Sequence, residues 1–233
     1  MTPPISNTFF HIQVGPDVAA AAPARTRYGV SDAGKRAFDA AAAAVLCLIL
    51  LPLLLVLFVA VRLSGSPVLF SHQRIGRHGK PFGCLKLRTM RPDAAAMLEA
   101  LLRDDPAARQ EWLTTRKLRN DPRITRIGRF LRTTSLDELP QLFNVLRGDM
   151  SLVGPRPVVA AELTQYYGPE GAAAYEAVRP GITGLWQVSG RSGTGYAERV
   201  ALDMTYVRER SLLLDLRILW RTVGAVLCRD GAC

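Results

Sequence analysis

From Ala40 to Val61 the chain reads "AAAAAVLCLILLPLLLVLFVAV", about 22 residues without a charged side chain, the length at which a membrane helix becomes the first reading. As a helix it measures roughly 33 Å, enough for a hydrocarbon core of about 30 Å. A signal peptide does not fit, because the stretch begins deep in the chain, exceeds an apolar signal core and has no small-residue cleavage site after it. A buried core helix stays open as the alternative. Two features oppose a straight crossing. Pro52 lies near the middle, removes one backbone hydrogen bond and kinks a helix, leaving an N-terminal half only about 18 Å long. Positive charge also stands on both sides: Arg25, Arg27, Lys35 and Arg36 before the segment, and Arg62, Arg74, Arg77 and Lys80 after it. Cationic flanks mark the cytoplasmic side, so a segment that enters one leaflet, bends at Pro52 and returns satisfies both.

The other 200-odd residues are long enough for a sizeable core ~. Lys and Arg number 30 against 20 Asp and Glu, a net charge of +10, which favours polyanions: nucleic acid, anionic lipid or phosphorylated substrates. Cys47, Cys84, Cys228 and Cys233 form no CxxC pair, and His11, His72 and His78 lack ligand spacing, with His72 and His78 expected in an exposed turn. Neither zinc nor a disulfide framework is indicated, and a reducing, cytosol-facing environment fits.

Residues 1–30 read as a loosely ordered tail, 31–63 as the membrane helix, 64–228 as the catalytic region and 229–233 as a second tail. "PVLFSHQRIGRHGKPFGCLKLRTM" predicts a short hairpin, and "GRHGKP" lacks the Walker spacing. Residues 93–116 predict helix with a break near Pro106. Arg126, Arg129 and Arg132 recur at three-residue steps on one helix flank, and Leu139, Leu142, Phe143 and Leu146 mark the apolar face of a following helix that ends at Gly148. "RPGITGLWQVSGRSGTG" reads as a long glycine-rich loop over a site. Two further helices follow, the last an interfacial amphipathic one with Leu, Ile and Trp against Arg217 and Arg221.

Between those basic and apolar runs lies "TSLDELPQ". Asp137 reads as a helix N-cap, with Pro140 in the first turn, and Glu138 as a complement to the helix dipole. Adjacent residues point about 100° apart, so the two acids cannot share a proton as an aspartic-protease pair does. Nor can they flank a glycosidic bond from opposite sides. Ringed by Arg129, Arg132 and Arg156, they suit a phosphate diester bound with a divalent cation. Arginine forks hold the phosphate oxygens, one carboxylate holds Mg2+, and the other attacks phosphorus.

With "KRAFDAAAA" leading into the proline-broken segment, "FGCLKLRTM", "RITRIGRFLRTTSLDELPQLFNVLRGDMSLVGPRP", "RPGITGLWQVSGR" and "LDMTYVRERSLLLDLRIL", the chain resembles the bacterial sugar transferases of the monotopic phosphoglycosyl transferase superfamily over about residues 33–227. The resemblance implies a mainly helical fold with a small hairpin, a re-entrant membrane helix bent at Pro52, and a catalytic domain on the cytoplasmic face of the bacterial inner membrane. It implies transfer of a sugar-1-phosphate from a nucleoside diphosphate sugar, usually a UDP-sugar, to polyprenyl phosphate through a covalent aspartyl-phosphosugar intermediate, with release of UMP, as the first membrane step of exopolysaccharide or glycoconjugate synthesis. By the same resemblance Asp137 is the nucleophile and Glu138 the Mg2+ ligand, while Arg88, Arg132, Arg156, Arg179 and Asp203 serve substrate binding. Ser192 departs from the family's usual Asn, and the resemblance is to the compact catalytic core, without the expectation of the four-span N-terminal region of larger relatives. Inner-membrane lipid is an expected partner and a homo-oligomer stays open. Nucleic acid is not expected, since few aromatics interleave the basic residues and no nucleic-acid motif is present. The competing reading is a non-catalytic, membrane-anchored basic module that binds nucleic acid or anionic lipid.

Overall fold

The computed structural model describes residues 31–65, 67–115, 118–189 and 195–227. The expected tails at 1–30 and 229–233, His11, Ser192, Cys228 and Cys233 lie outside the described residues. Ser31 opens the first helix, α1 (Asp32–Leu63), by accepting the Gly34 amide on its hydroxyl at 3.1 Å. The alanine run after it propagates helix well, so α1 starts several residues before the apolar stretch itself and measures about 48 Å. Pro52 is internal to it, and the helix is assigned without interruption on either side of the residue. Only 17% of its most apolar window is buried. Leu48, Ile49 and Val56 are each more than 60% exposed, which is not how the core helix of a soluble protein sits.

Both halves of α1 nonetheless rest on the globular region. Ala43, with Ala42, Cys47 and Leu50, joins a core of Leu142, Val145, Leu152, Leu185, Trp186 and Tyr206. Leu57 and Val61, with Leu53 and Phe58, pack among Leu87, Leu131, Leu136 and Leu139. Near the N-terminus Arg36 donates to the carbonyls of Val145 and Leu146 at 2.5 and 2.7 Å. Both carbonyls lie in the last turn of a helix, so the contact fixes α1 to that helix end.

Strands β1 (Leu69–Ile75) and β2 (Pro81–Leu87) form the expected antiparallel hairpin, with Leu69 opposite Leu87 and Ile75 opposite Pro81. His78 lies in its turn in the left-handed region, whereas His72 is on β1 and not in a turn: alternation on a short two-stranded ribbon is easily mistaken for loop. Helices α2 (Ala94–Asp104) and α3 (Pro106–Thr115) break where expected; Asp105 caps α3 by accepting the amides of Ala107 and Ala108. Next come α4 (Arg126–Thr134), α5 (Gln141–Arg147), β3 (Ser151–Val153), the short α6 (Ala160–Glu162) running into a π turn over Leu163–Tyr167, α7 (Gly168–Glu176), β4 (Gly181–Thr183), α8 (Leu185–Ser189), α9 (Tyr196–Glu209) and α10 (Leu212–Leu227).

Residues 181–189 are therefore not the loop that their glycines suggest. Gly181 and Thr183 pair in parallel with Ser151 and Val153, and a Cβ on Gly181 would collide with the backbone of Gly154. The glycine is required by close approach of two chains, and a three-residue parallel pair has no alternation to read. On α10, Asp215 and Ile218 face the core while Leu213, Leu216, Trp220 and Val223 stay exposed.

Candidate active site

The acidic pair sits in a break between helices. Thr125 caps α4 by accepting the Gly128 amide at 2.9 Å, and Ser135 ends it in the left-handed conformation. A 3-10 turn over Leu136–Glu138 follows, and Pro140 is the residue before α5. Asp137 is thus not a helix N-cap, which corrects the capping expectation: the left-handed Ser135 places the pair ahead of the helix start. Leu136 and Leu139 pack on the cluster that holds Leu57 and Val61. That apolar grip on either side holds Asp137 and Glu138 in the turn between.

Glu138 meets a cation that sequence reasoning missed, Lys86 on β2, at 2.6 Å. The position of Lys86 follows from Asn144. That fully buried side chain on α5 accepts the Leu85 amide at 2.9 Å and donates to the Gly83 carbonyl at 2.8 Å, locking the helix to the strand. Burial would raise the Glu138 pKa, but Lys86, Arg156 and a hydrogen bond from Gln141 outweigh it and hold the carboxyl below its ordinary value. Asp137 goes the other way. Burial raises it to about 6, with the neighbouring Glu138 charge adding and Lys86 and Arg132 opposing. Two adjacent carboxyls with pKa values driven apart suit different tasks: one stays an anion, the other is a basic oxygen nucleophile once ionised.

Glu138 lines a cleft of about 280 Å³ together with Arg74, Cys84, Lys86, Gln141, Arg156 and residues of the 182–187 segment. Three cations face one carboxylate there, a surplus that fits a phosphate-bearing ligand. Arg156 lies over the Trp186 ring at 5.2 Å, and Arg199 over the same ring at 4.1 Å. Arg132 donates through Nε to Thr89 at 2.9 Å and feels the Asp137 charge, so it stands beside the pair. Arg88 is one strand period beyond Lys86 and stacks over Phe70 at 5.4 Å.

Two expected ligand-binding residues lie elsewhere. Asp203 is fully buried on α9, where Tyr167 donates to it at 2.9 Å and the Arg156 backbone amide faces it. It reaches the cleft by supporting Arg156 and does not open onto it. Arg179 gives Nε to the Gly148 carbonyl at 2.9 Å and lines a separate cavity with Asp32, Lys35 and Arg77. Its guanidinium is drawn there by the open carbonyl at the end of α5.

Among the described residues no group of three or more His, Cys, Asp or Glu side chains gathers to hold a metal ion. The ionised Glu138 still fits Mg2+, which is commonly held by one or two carboxylates with substrate phosphates and water completing its shell. Lys86, Gln141, Asn144 and Trp186 come together only by folding. The one local hint was period-two spacing of Lys86 and Arg88 in the hairpin.

The chain matches the family described as "Bacterial sugar transferase" over residues 30–229. It is 52% identical over 198 residues to a "UDP-galactose-lipid carrier transferase" of Erwinia amylovora, covering 85% of this chain and 41% of that protein. It is 50% identical over 199 residues to the "Exopolysaccharide production protein ExoY" of Rhizobium meliloti, covering 85% and 87% of the two chains. It is 47% identical over 210 residues to a "UDP-glucose:undecaprenyl-phosphate glucose-1-phosphate transferase" of Caulobacter vibrioides, covering 86% and 72%. The chain spans about two fifths of the length of the Erwinia relative. A match to this family from residue 30 to residue 229 makes the chain a member of the bacterial sugar transferase family.

Proposed function

We propose that this chain transfers a sugar-1-phosphate from a nucleoside diphosphate sugar, most simply a UDP-sugar, to polyprenyl (undecaprenyl) phosphate at the cytoplasmic face of the bacterial inner membrane, within exopolysaccharide or glycoconjugate synthesis. The observation that carries this reading is the acidic pair at the cationic cleft: Glu138 lines it, kept ionised beside Lys86 and Arg156, and the adjacent Asp137 is raised to about 6. The names borne by the Erwinia and Caulobacter relatives suggest the donor and acceptor classes.

In the first step an ionised Asp137 oxygen bonds to the sugar-bearing phosphorus, and the bond from that phosphorus to the bridging oxygen breaks. The electron pair leaves with UMP. In the second, a phosphate oxygen of the polyprenyl phosphate bonds to the same phosphorus and the Asp137 oxygen departs as carboxylate, giving the polyprenyl diphosphate sugar. Arg156, Lys86 and Arg132 bind and orient phosphate oxygens throughout. Mg2+, when bound by Glu138, supplies charge neutralisation of the phosphates.

The membrane arrangement that suits this chemistry is re-entrant. A polyprenyl phosphate is confined to the bilayer while the sugar nucleotide arrives from water, so the cleft must lie at the boundary. Both halves of α1 rest on one globular region, as they would if the helix dipped into one leaflet around Pro52. The exposed apolar face of α10 would lie along the same surface.

The test incubates the protein in nanodiscs with Mg2+, polyprenyl phosphate and a panel of UDP-sugars, reading UMP release and the mass of the intact chain. One donor should give UMP and, without acceptor, a phosphosugar adduct that Asp137→Asn abolishes. An adduct persisting in that variant overturns the nucleophile assignment. Salt-sensitive nucleic-acid binding with no turnover of any donor would favour the basic-module reading.

A further inference from the structure

We propose a second anion site: the cavity at the start of α1 takes the phosphodiester headgroup of an anionic phospholipid. It is a concavity separate from the cleft at Glu138 and contains neither member of the acidic pair. Lys35, Arg77, Arg179 and Arg210 line it against only two carboxylates, Asp32 and Asp39. Lys35 is engaged by Asp39 at 3.0 Å and by the buried Asp215 at 2.8 Å, and Asp32 by Arg77 at 2.7 Å and Arg210 at 3.7 Å. Arg77 Nε is buried with no hydrogen-bond partner among the described residues. Arg179 is disfavoured as a cation by its burial and by the charges of Arg77 and Arg36. Lys35 is balanced by Asp39 and Asp215, but Arg77, Arg210 and Arg179 all lean on Asp32, so the guanidinium charge is only partly neutralised and a further anion would complete it. The planar guanidinium forks match the oxygens of a phosphate diester.

Position selects the lipid source over a soluble one, and this step rests on the reading of α1 as a membrane element. Part of the cavity wall comes from the first two turns of α1 and from Arg210, two residues before α10, with more from the hairpin turn at Arg77, β3 and the Val178–Arg179 segment. From there Ala42, Cys47 and Leu50 of α1 and Leu214, Ile218 and Leu219 of α10 share one apolar cluster. Their outer faces expose Val45 and Leu48 on α1, and Leu213 and Trp220 on α10. Asp39 lies only about 9 Å along the helix from Val45. A phosphate held in the cavity is thus at headgroup depth, with its acyl chains free to follow the apolar faces, and a tryptophan marks the same boundary.

The experiment places the full chain in nanodiscs of phosphatidylcholine alone or with added phosphatidylglycerol and maps arginine modification by phenylglyoxal. Phosphatidylglycerol should lower modification of Arg77 and Arg210 several-fold and leave the exposed Arg103 of α2 unchanged. Equal modification of Arg77 and Arg210 in the two lipids overturns the site, and protection by inorganic phosphate in phosphatidylcholine alone overturns the lipid assignment. In parallel, phosphatidylglycerol should raise the thermal midpoint of the unaltered chain and of Asp137→Asn, but not of Arg77→Gln combined with Arg210→Gln. If that double variant does not fold, the modification map on the unaltered chain decides. Failure to float with phosphatidylcholine vesicles would overturn the membrane reading itself, whereas loss of the lipid site alone leaves flotation intact.

Discussion

In the proposed mechanism Asp137 must lose its proton before it attacks, and its environment sets where that happens. With its pKa raised to about 6, kcat/KM for UMP release should climb as pH rises through about 6 and level off above it. Lys86 opposes that rise. Lys86→Met should therefore move the midpoint upward and lower the rate at pH 7 by roughly 10- to 100-fold, with partial recovery at higher pH. A uniform loss at every pH would make Lys86 merely structural. Asp203 gives a separate test in stability. Burial raises its pKa to about 7 against an ordinary 3.8, so the unfolded chain releases the proton first as pH rises. The stability contributed by the neutral form is complete below about pH 4 and lost by about pH 7, on the order of 4 kcal/mol at most. Asp203→Asn cannot titrate and should gain stability relative to the unaltered chain across that window, read as diverging thermal midpoints; parallel curves would mean Asp203 is already ionised in the fold. At this scale the acids and Arg132 were legible because neighbours in sequence stay neighbours in space. The burial of Asp203 and the second cavity at Arg179 were not, since each depends on what α5 and α9 pack against.

The element that holds the cleft together is the α5–β2 junction, and Asn144 makes it. Asn144→Ala removes the acceptor of the Leu85 amide and the donor to the Gly83 carbonyl inside the core. Leaving those two groups unpaired costs about 1–3 kcal/mol each, so the thermal midpoint should fall by many degrees. Because Lys86 is adjacent to Leu85, activity should fall beyond the loss of folded protein. A variant as stable as the parent would show that the hairpin is held by its apolar contacts alone. Hairpin, α2–α3 break and the stop at Gly148 were readable from local turn and cap chemistry. The β3–β4 pair was hidden, because its hydrogen-bonding partners are some 30 residues apart and its glycines serve close packing.

For the molecule as a whole, the long apolar helix decides which face of the membrane the cleft occupies. A helix about 48 Å long could span a bilayer, yet a span would carry one end of α1 away from the globular region. That would strip either Ala43 from the core around Val145 or Leu57 and Val61 from the cluster around Leu131. Burial of Leu57 and Val61 contributes about 1.5–3 kcal/mol each and of the Ala43 methyl about 0.8 kcal/mol, and Arg36 would also lose its two carbonyl partners if the N-terminal end left. The doubled cationic flanks are the sequence feature that accords with the re-entrant proposal, although they could not show which surfaces the two halves meet. Single cysteines at Ala33 and at Gly65, in a chain whose native cysteines are replaced by serine, should therefore react with a membrane-impermeant maleimide from the same side. Labelling of both in inverted inner-membrane vesicles and of neither in intact spheroplasts is the expected pattern. Labelling from opposite sides would mean that α1 crosses the bilayer and that one of its two packed ends separates from the globular region in the membrane.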